Sequence, residues 1–122
     1  MIYVKDLARM EAFYREALGL TPVEETRSTS WLEFDAGQAR LALHTIPPHF
    51  AERIEITSPP LPREETPIKL IFEVDNLTDA CERIRAAGAT PILRCWGSWD
   101  CVDPEGNVFG LSVRARPQSD VG

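Results

Sequence analysis

Residues 1–5 alternate: Ile2 and Val4 fall on one side, Tyr3 and Lys5 on the other. That period of two is the mark of a half-buried strand. The period then lengthens. Leu7, Met10, Phe13, Tyr14, Ala17 and Leu18 recur at helical spacing. Asp6 stands where an N-cap belongs, and Gly19 where a helix end takes a left-handed residue. Three strands are expected next, near 22–27, 30–35 and 39–45. The same order returns later in the chain. Leu70, Phe72 and Val74 alternate with Lys69, Ile71 and Glu73, and Asn76 is the cap. Leu77, Ala80, Cys81, Ile84 and Ala87 form the helical stripe, and Gly88 stops it. Strands are then expected at 90–95, 99–102 and 107–114. Gly37 and Asp103-Pro104-Glu105-Gly106 supply turns.

The two runs correspond residue by residue. Val4 and Leu7 match Val74 and Leu77 at an offset of 70, and Leu18-Gly19-Leu20-Thr21-Pro22 matches Ala87-Gly88-Ala89-Thr90-Pro91 at 69. Ser30-Trp31 then matches Ser98-Trp99, Asp35 matches Asp103, and Leu41 and Leu43 match Phe109 and Leu111, all at 68. Slips of one residue are what changes in loop length produce. The chain is thus expected to be one domain over 1–122, made of a first unit 1–45, a linker 46–66, a second unit 67–114 and a tail 115–122. Counting Pro67 at its end, the linker holds six of the ten prolines and is stiff and irregular, with a short helical turn at 49–53.

Composition narrows the partners. The chain has 122 residues, 43% of them hydrophobic, enough for one packed core. Lys plus Arg is 13 against 19 Asp plus Glu, a net charge of −6. Such a chain repels phosphate backbones, and Arg83 and Arg85 are interleaved with Glu82 and apolar residues, so no nucleic acid partner is expected. No apolar run is long enough for a membrane span, and the first residues lack a secretory pattern, so no membrane partner is expected either. Three cysteines, Cys81, Cys95 and Cys101, are an odd number, which suits free thiols in a reducing cytoplasm.

A doubled strand–helix–three-strand unit resembles the vicinal oxygen chelate superfamily, which includes glyoxalase I, extradiol dioxygenases, fosfomycin-resistance enzymes and bleomycin-binding proteins. The residues carrying the resemblance are Val4-Lys5-Asp6-Leu7 leading to Phe13-Tyr14 and Leu18-Gly19, and Asp103-Pro104-Glu105-Gly106-Asn107 entering the last strand. The resemblance implies an α+β fold. Two tandem βαβββ units curl into a cup-like mixed sheet with helices outside, commonly as a homodimer. A fold of this kind hosts many chemistries, so function rests on the site.

Strand parity proposes which residues line the cup. From the first unit these are Tyr3, Lys5, Trp31, Glu33, Arg40, Ala42 and His44. From the second they are Lys69, Ile71, Glu73, Trp99, Cys101, Val108, Gly110 and Ser112. Metal-dependent members of the superfamily take ligands from the first and last strand of each unit. The matching positions here are Lys69, Ala42 and Gly110, with the fourth falling before Met1. An ammonium, a methyl and a hydrogen offer a cation nothing to grip, so no metal or other cofactor is expected. His44, Glu33 and Glu73 share the cup parity and leave a displaced metal site open.

Without a metal, the cup offers aromatic walls. Trp31 and Trp99 at matching repeat positions, with Trp96 in the neighbouring hairpin, suit stacking on a flat conjugated molecule. Alternatively, the indoles pack in the core or a dimer interface. The expected ligand site is Tyr3, Trp31, Glu33, Arg40, His44, Lys69, Glu73, Trp96 and Trp99, and the expected role is metal-independent binding of a small organic molecule, as in antibiotic sequestration. The competing role is a lyase- or dioxygenase-like enzyme with a displaced site, for which Glu73, His44 and Tyr3 are the acid–base candidates. Arg40 and Lys69 pair with Glu33 or Glu73, or else meet an anionic ligand.

Overall fold

The computed structural model describes residues 1–113. The expected tail, 115–122, and the last residue of the second unit lie outside these described residues. β1 (Ile2–Val4) feeds α1 (Leu7–Leu18), where Asp6 caps the helix by accepting from the Arg9 amide at 3.1 Å. Gly19 ends the helix at φ +67°, a conformation that costs other residues roughly 1–2 kcal/mol. β2 (Thr21–Val23), β3 (Trp31–Ala36) and β4 (Ala39–Thr45) complete the first unit. β2 is shorter than the strand expected at 22–27. Glu24–Thr26 form a single 3-10 turn, and Arg27 clamps it by donating to Glu24 and to Glu11 of α1 at 2.7–3.0 Å.

After a short α2 (Pro48–Ala51) the second unit repeats the order as β5 (Leu70–Val74), α3 (Leu77–Ala86), β6 (Ile92–Leu93), β7 (Trp99–Val102) and β8 (Val108–Val113). Asn76 caps α3 as Asp6 caps α1. β6 covers two of the six residues expected. The chain leaves it at Arg94 for a tight turn in which the Gly97 amide, at φ +94°, donates to the Arg94 carbonyl.

The strands form two four-stranded mixed sheets, ordered β1-β4-β3-β2 and β5-β8-β7-β6. Neither closes into a barrel. In each, the first strand runs parallel to the last and the other pairs are antiparallel. The apolar faces of both sheets and the two helices make one core. Its centre is aromatic. Tyr14 of α1 lies 6.4 Å from Phe34 of the first sheet and 5.9 Å from both Phe72 and Phe109 of the second. Phe13 reaches Phe109 at 6.1 Å. One helix therefore ties both sheets together.

The β7–β8 turn locks that helix from the far end of the chain. Buried Asp103 accepts from the Tyr14 hydroxyl at 2.6 Å, from the Glu105 and Asn107 amides, and from the Asn107 side chain. Buried Glu105 accepts the backbone amides of Lys5 and Asp6 at 2.6 and 2.7 Å, where β1 turns into α1. Burial, with the Asp103 carboxylate alongside, pushes the Tyr14 phenol well above its ordinary value, so it stays a donor.

Candidate functional site

The register of the first sheet puts three rings side by side. Tyr3 of β1 and Trp31 of β3 are both opposite His44 of β4. Because cross-strand partners share a face, all three project from the side away from the helices. The Tyr3 and His44 rings are 5.6 Å apart at 66°, and the Trp31 and His44 rings 6.0 Å apart at 79°. The imidazole is the floor and the two larger rings are walls. Tyr3 is 59% exposed, and Trp31 and His44 are half-buried.

The tautomer of the neutral His44 ring follows from a hydrogen bond to the backbone. Its Nδ1 lies 2.7 Å from the Thr45 carbonyl, which only accepts, so Nδ1 carries the proton. In the neutral ring Nε2 is then an acceptor. Two residues along β3, Glu33 accepts from Arg40 at 2.9 Å and from the Thr26 hydroxyl at 3.0 Å. Arg40 is thus spent on Glu33, one of the pairings its parity allowed.

The second sheet differs, and the difference corrects the repeat. Leu43 and Leu111 correspond at 68, but Leu43 pairs with Leu32 while Leu111 pairs with Trp99. The partner of Trp99 in the repeat is therefore Leu32, at 67, not Trp31. The extra residue sits in the β7–β8 turn, where five residues separate Val102 from Val108 while four separate Asp35 from Arg40. A one-residue slip exchanges the faces of a strand. Trp99 packs against the core and Cys101 is buried within it, so neither lines the cup. Trp31 and Trp99 do not face each other. Burial pushes the Cys101 thiol up to about 12, while Cys95 lies exposed on the neighbouring turn.

Asp100, not Trp99, lies at the cup-facing parity of β7. It corresponds to Glu33 and, at 1% exposure, is held by Lys69 at 2.7 Å and by Arg94 at 2.8 Å. Arg94 also donates to Glu64 at 2.8 Å, and its guanidinium lies 5.8 Å from the ring of the exposed Trp96. The partner the structure gives Lys69 is therefore Asp100. Glu73 lies on β5, in the other sheet from Tyr3 and His44, so the three acid–base candidates do not form one cluster. The signal for Asp100 was available in the sequence. Its parity opposite Gly110 follows from a β7–β8 turn of five residues.

The positions at which superfamily members hold a divalent ion do not fit one here. Lys69 stands beside Gly110, where a Cβ would meet Lys69 Cε at 3.3 Å and Asp100 Oδ1 at 3.4 Å. Ala42, its counterpart on β4, is a buried methyl. His44, Glu33 and Glu73 are not brought together either. Among the described residues, no group of three or more His, Cys, Asp or Glu is placed to hold an ion.

Two cavities border this face. One of about 330 Å³ lies where β1 meets β5 and β8, lined by Tyr3, Ile68, Leu70 and Val108. Another of about 880 Å³ lies between the β3–β4 hairpin and β5, lined by Asp35, Arg40, Ile71 and Glu73.

A family model described as a glyoxalase-like domain matches residues 1–112. The chain belongs to that family. With its doubled unit and open sheets, this glyoxalase-like domain is a member of the vicinal oxygen chelate superfamily. Its fold is shared with a glyoxalase/bleomycin resistance protein/dioxygenase family enzyme from Burkholderia phytofirmans, at 24% identity, TM-score 0.66 and coverage of 92% of this chain and 93% of that one. It is similar also to the fosfomycin resistance protein FosX from Mesorhizobium loti, at 18% identity, TM-score 0.62 and coverage of 93% and 86%. A bleomycin-binding protein solved with bleomycin matches at 20% identity, TM-score 0.59 and coverage of 93% and 94%. No curated protein gives a significant match. No helix among the described residues is long and apolar enough to cross a membrane.

Proposed function

We propose that this glyoxalase-like domain binds a small, flat, conjugated organic molecule without a metal, as a sequestering or resistance protein does. The observation carrying this is the Tyr3–His44–Trp31 shelf. Two walls and a floor of π surface suit stacking, worth roughly 0.5–1.5 kcal/mol per ring pair beyond burial. The lone pair on His44 Nε2 selects a ligand with an N–H donor. The charge of −6 favours a cation, which the indole and phenol faces stabilise further. Neighbours that bind bleomycin or resist fosfomycin support a small-molecule ligand. Glu33 and Arg40 border the shelf as a closed ion pair. We place the protein in the cytoplasm, where its three thiols stay free, and expect two copies to associate, as exposed Ile71 and Trp96 invite.

Calorimetric titration with bleomycin, and with proflavine as a bare planar cation, tests this. Saturable binding with fixed stoichiometry is expected, unchanged by a chelator and weakened roughly threefold to tenfold in Trp31→Leu. The unliganded protein should weigh twice 13.7 kDa by light scattering. No saturation with either probe, or equal binding by Trp31→Leu, would remove the shelf as the site. Chemical consumption of the probe would favour the lyase- or dioxygenase-like alternative.

A further inference from the structure

A third cavity, of about 350 Å³, lies away from the aromatic shelf, against one flank of α1. Arg9, Ala12, Phe13 and Glu16 of that helix line it, and their spacing of three, four and seven puts them on one face. Pro59 and Pro60 of the linker, the Ala87–Thr90 turn after α3, and Ile92, Val102 and Pro104 close the other sides. The walls are mostly apolar. Ala12, in the middle of that flank, is small enough to leave the space open.

Among the described residues, Arg9 is the only basic side chain lining this cavity, and no carboxylate pairs with it. Glu16, two turns along the helix, lies 3.8 Å from Arg15. A guanidinium without a partner at the mouth of an apolar pocket is a receptor for a carboxylate with an apolar body. We infer that this cavity is a second binding site, independent of the shelf, for a compact aryl- or alkyl-carboxylic acid. The carboxylate takes the Arg9 fork, and the body lies over Ala12 and Phe13 against the two prolines. The volume is near the small end of ligand sites, which favours a single ring on a short chain.

The test uses 3-phenylpropanoate and its neutral analogue 3-phenylpropan-1-ol, with amide shifts of the whole protein followed by NMR. Saturable shifts at Gly88, Ala89 and Ala12 are expected for the acid. The alcohol should bind roughly tenfold to a hundredfold more weakly, the worth of a charge-assisted bond. Arg9→Gln changes an exposed side chain and should bring the acid down to the affinity of the alcohol. Ala12→Met should fill the space and abolish both. Trp31→Leu should change neither. The proposal fails if the acid gives no saturable shift, if acid and alcohol bind alike, if Arg9→Gln or Ala12→Met binds as the parent does, or if the shifts centre on Tyr3, Trp31 and His44.

Discussion

Asp100 is almost out of water, and burial alone would raise its pKa. Lys69 and Arg94 outweigh that and hold its carboxyl below the ordinary value. A carboxylate whose pKa is depressed by folding stabilises the fold fully above its unfolded value, about 3.9, and loses that contribution as pH falls through the folded value. Asp100→Asn should therefore cost on the order of 1–2 kcal/mol at neutral pH, since Lys69 is partly exposed and screened. As pH falls from neutrality through about 3.9 and below, the variant should lose less stability than the parent, as urea midpoints along that series will show. Parallel losses would mean the ion pairs add nothing. The same residue marks a limit of reading from sequence. Parity along β1, β3 and β4 put Tyr3, Trp31 and His44 on one face, as the register has them. In β7 the identity of Trp31 and Trp99 suggested an alignment one residue off. The alternation Trp99-Asp100-Cys101-Val102 keeps the two apolar residues Trp99 and Cys101 on one parity and the charge on the other, a signal that the matching tryptophans masked.

The element that caused the slip also organises the fold. Asp103–Asn107 is legible as a turn from its composition, but its long-range duties are not. Capture of the Lys5 and Asp6 amides by Glu105 links residues about a hundred positions apart, and nothing local announces it. The linker docks on the same turn, where the Arg63 amide donates to the Gly106 carbonyl at 2.8 Å. Gly106 sits at φ +90°, and a Cβ there would run into the Leu61 carbonyl oxygen. Gly37, in the equivalent hairpin of the first unit, has φ +80° but open space around it. Both glycines relieve backbone strain, and only Gly106 also makes room for another segment. Gly37→Ala should cost about 1 kcal/mol and Gly106→Ala about 2–5 kcal/mol in chemical denaturation. Equal costs would show that the linker does not press on the turn.

At the scale of the molecule, two similar units raise the question of whether each folds alone. Either is near the size at which an isolated core becomes marginal. The aromatic centre is also not divided between them, since Tyr14 of the first unit packs on Phe72 and Phe109 of the second and bonds to Asp103. Removing the second unit would leave that ring without most of its neighbours and strip the Glu105 cap from the start of α1. Trp31 in β3 and Trp99 in β7 report on the two sheets separately. In one variant that keeps Trp31 alone and another that keeps Trp99 alone, with phenylalanine at the other tryptophan positions, fluorescence and far-ultraviolet dichroism should trace one coincident urea transition. Phenylalanine at position 99 lowers stability, so the comparison is made between the two probes within each variant. A fluorescence change in either that precedes the loss of secondary structure would show that one sheet can open without the other. The cup faces would then be assembled by docking of preformed halves, and not by the shared core that Tyr14 spans.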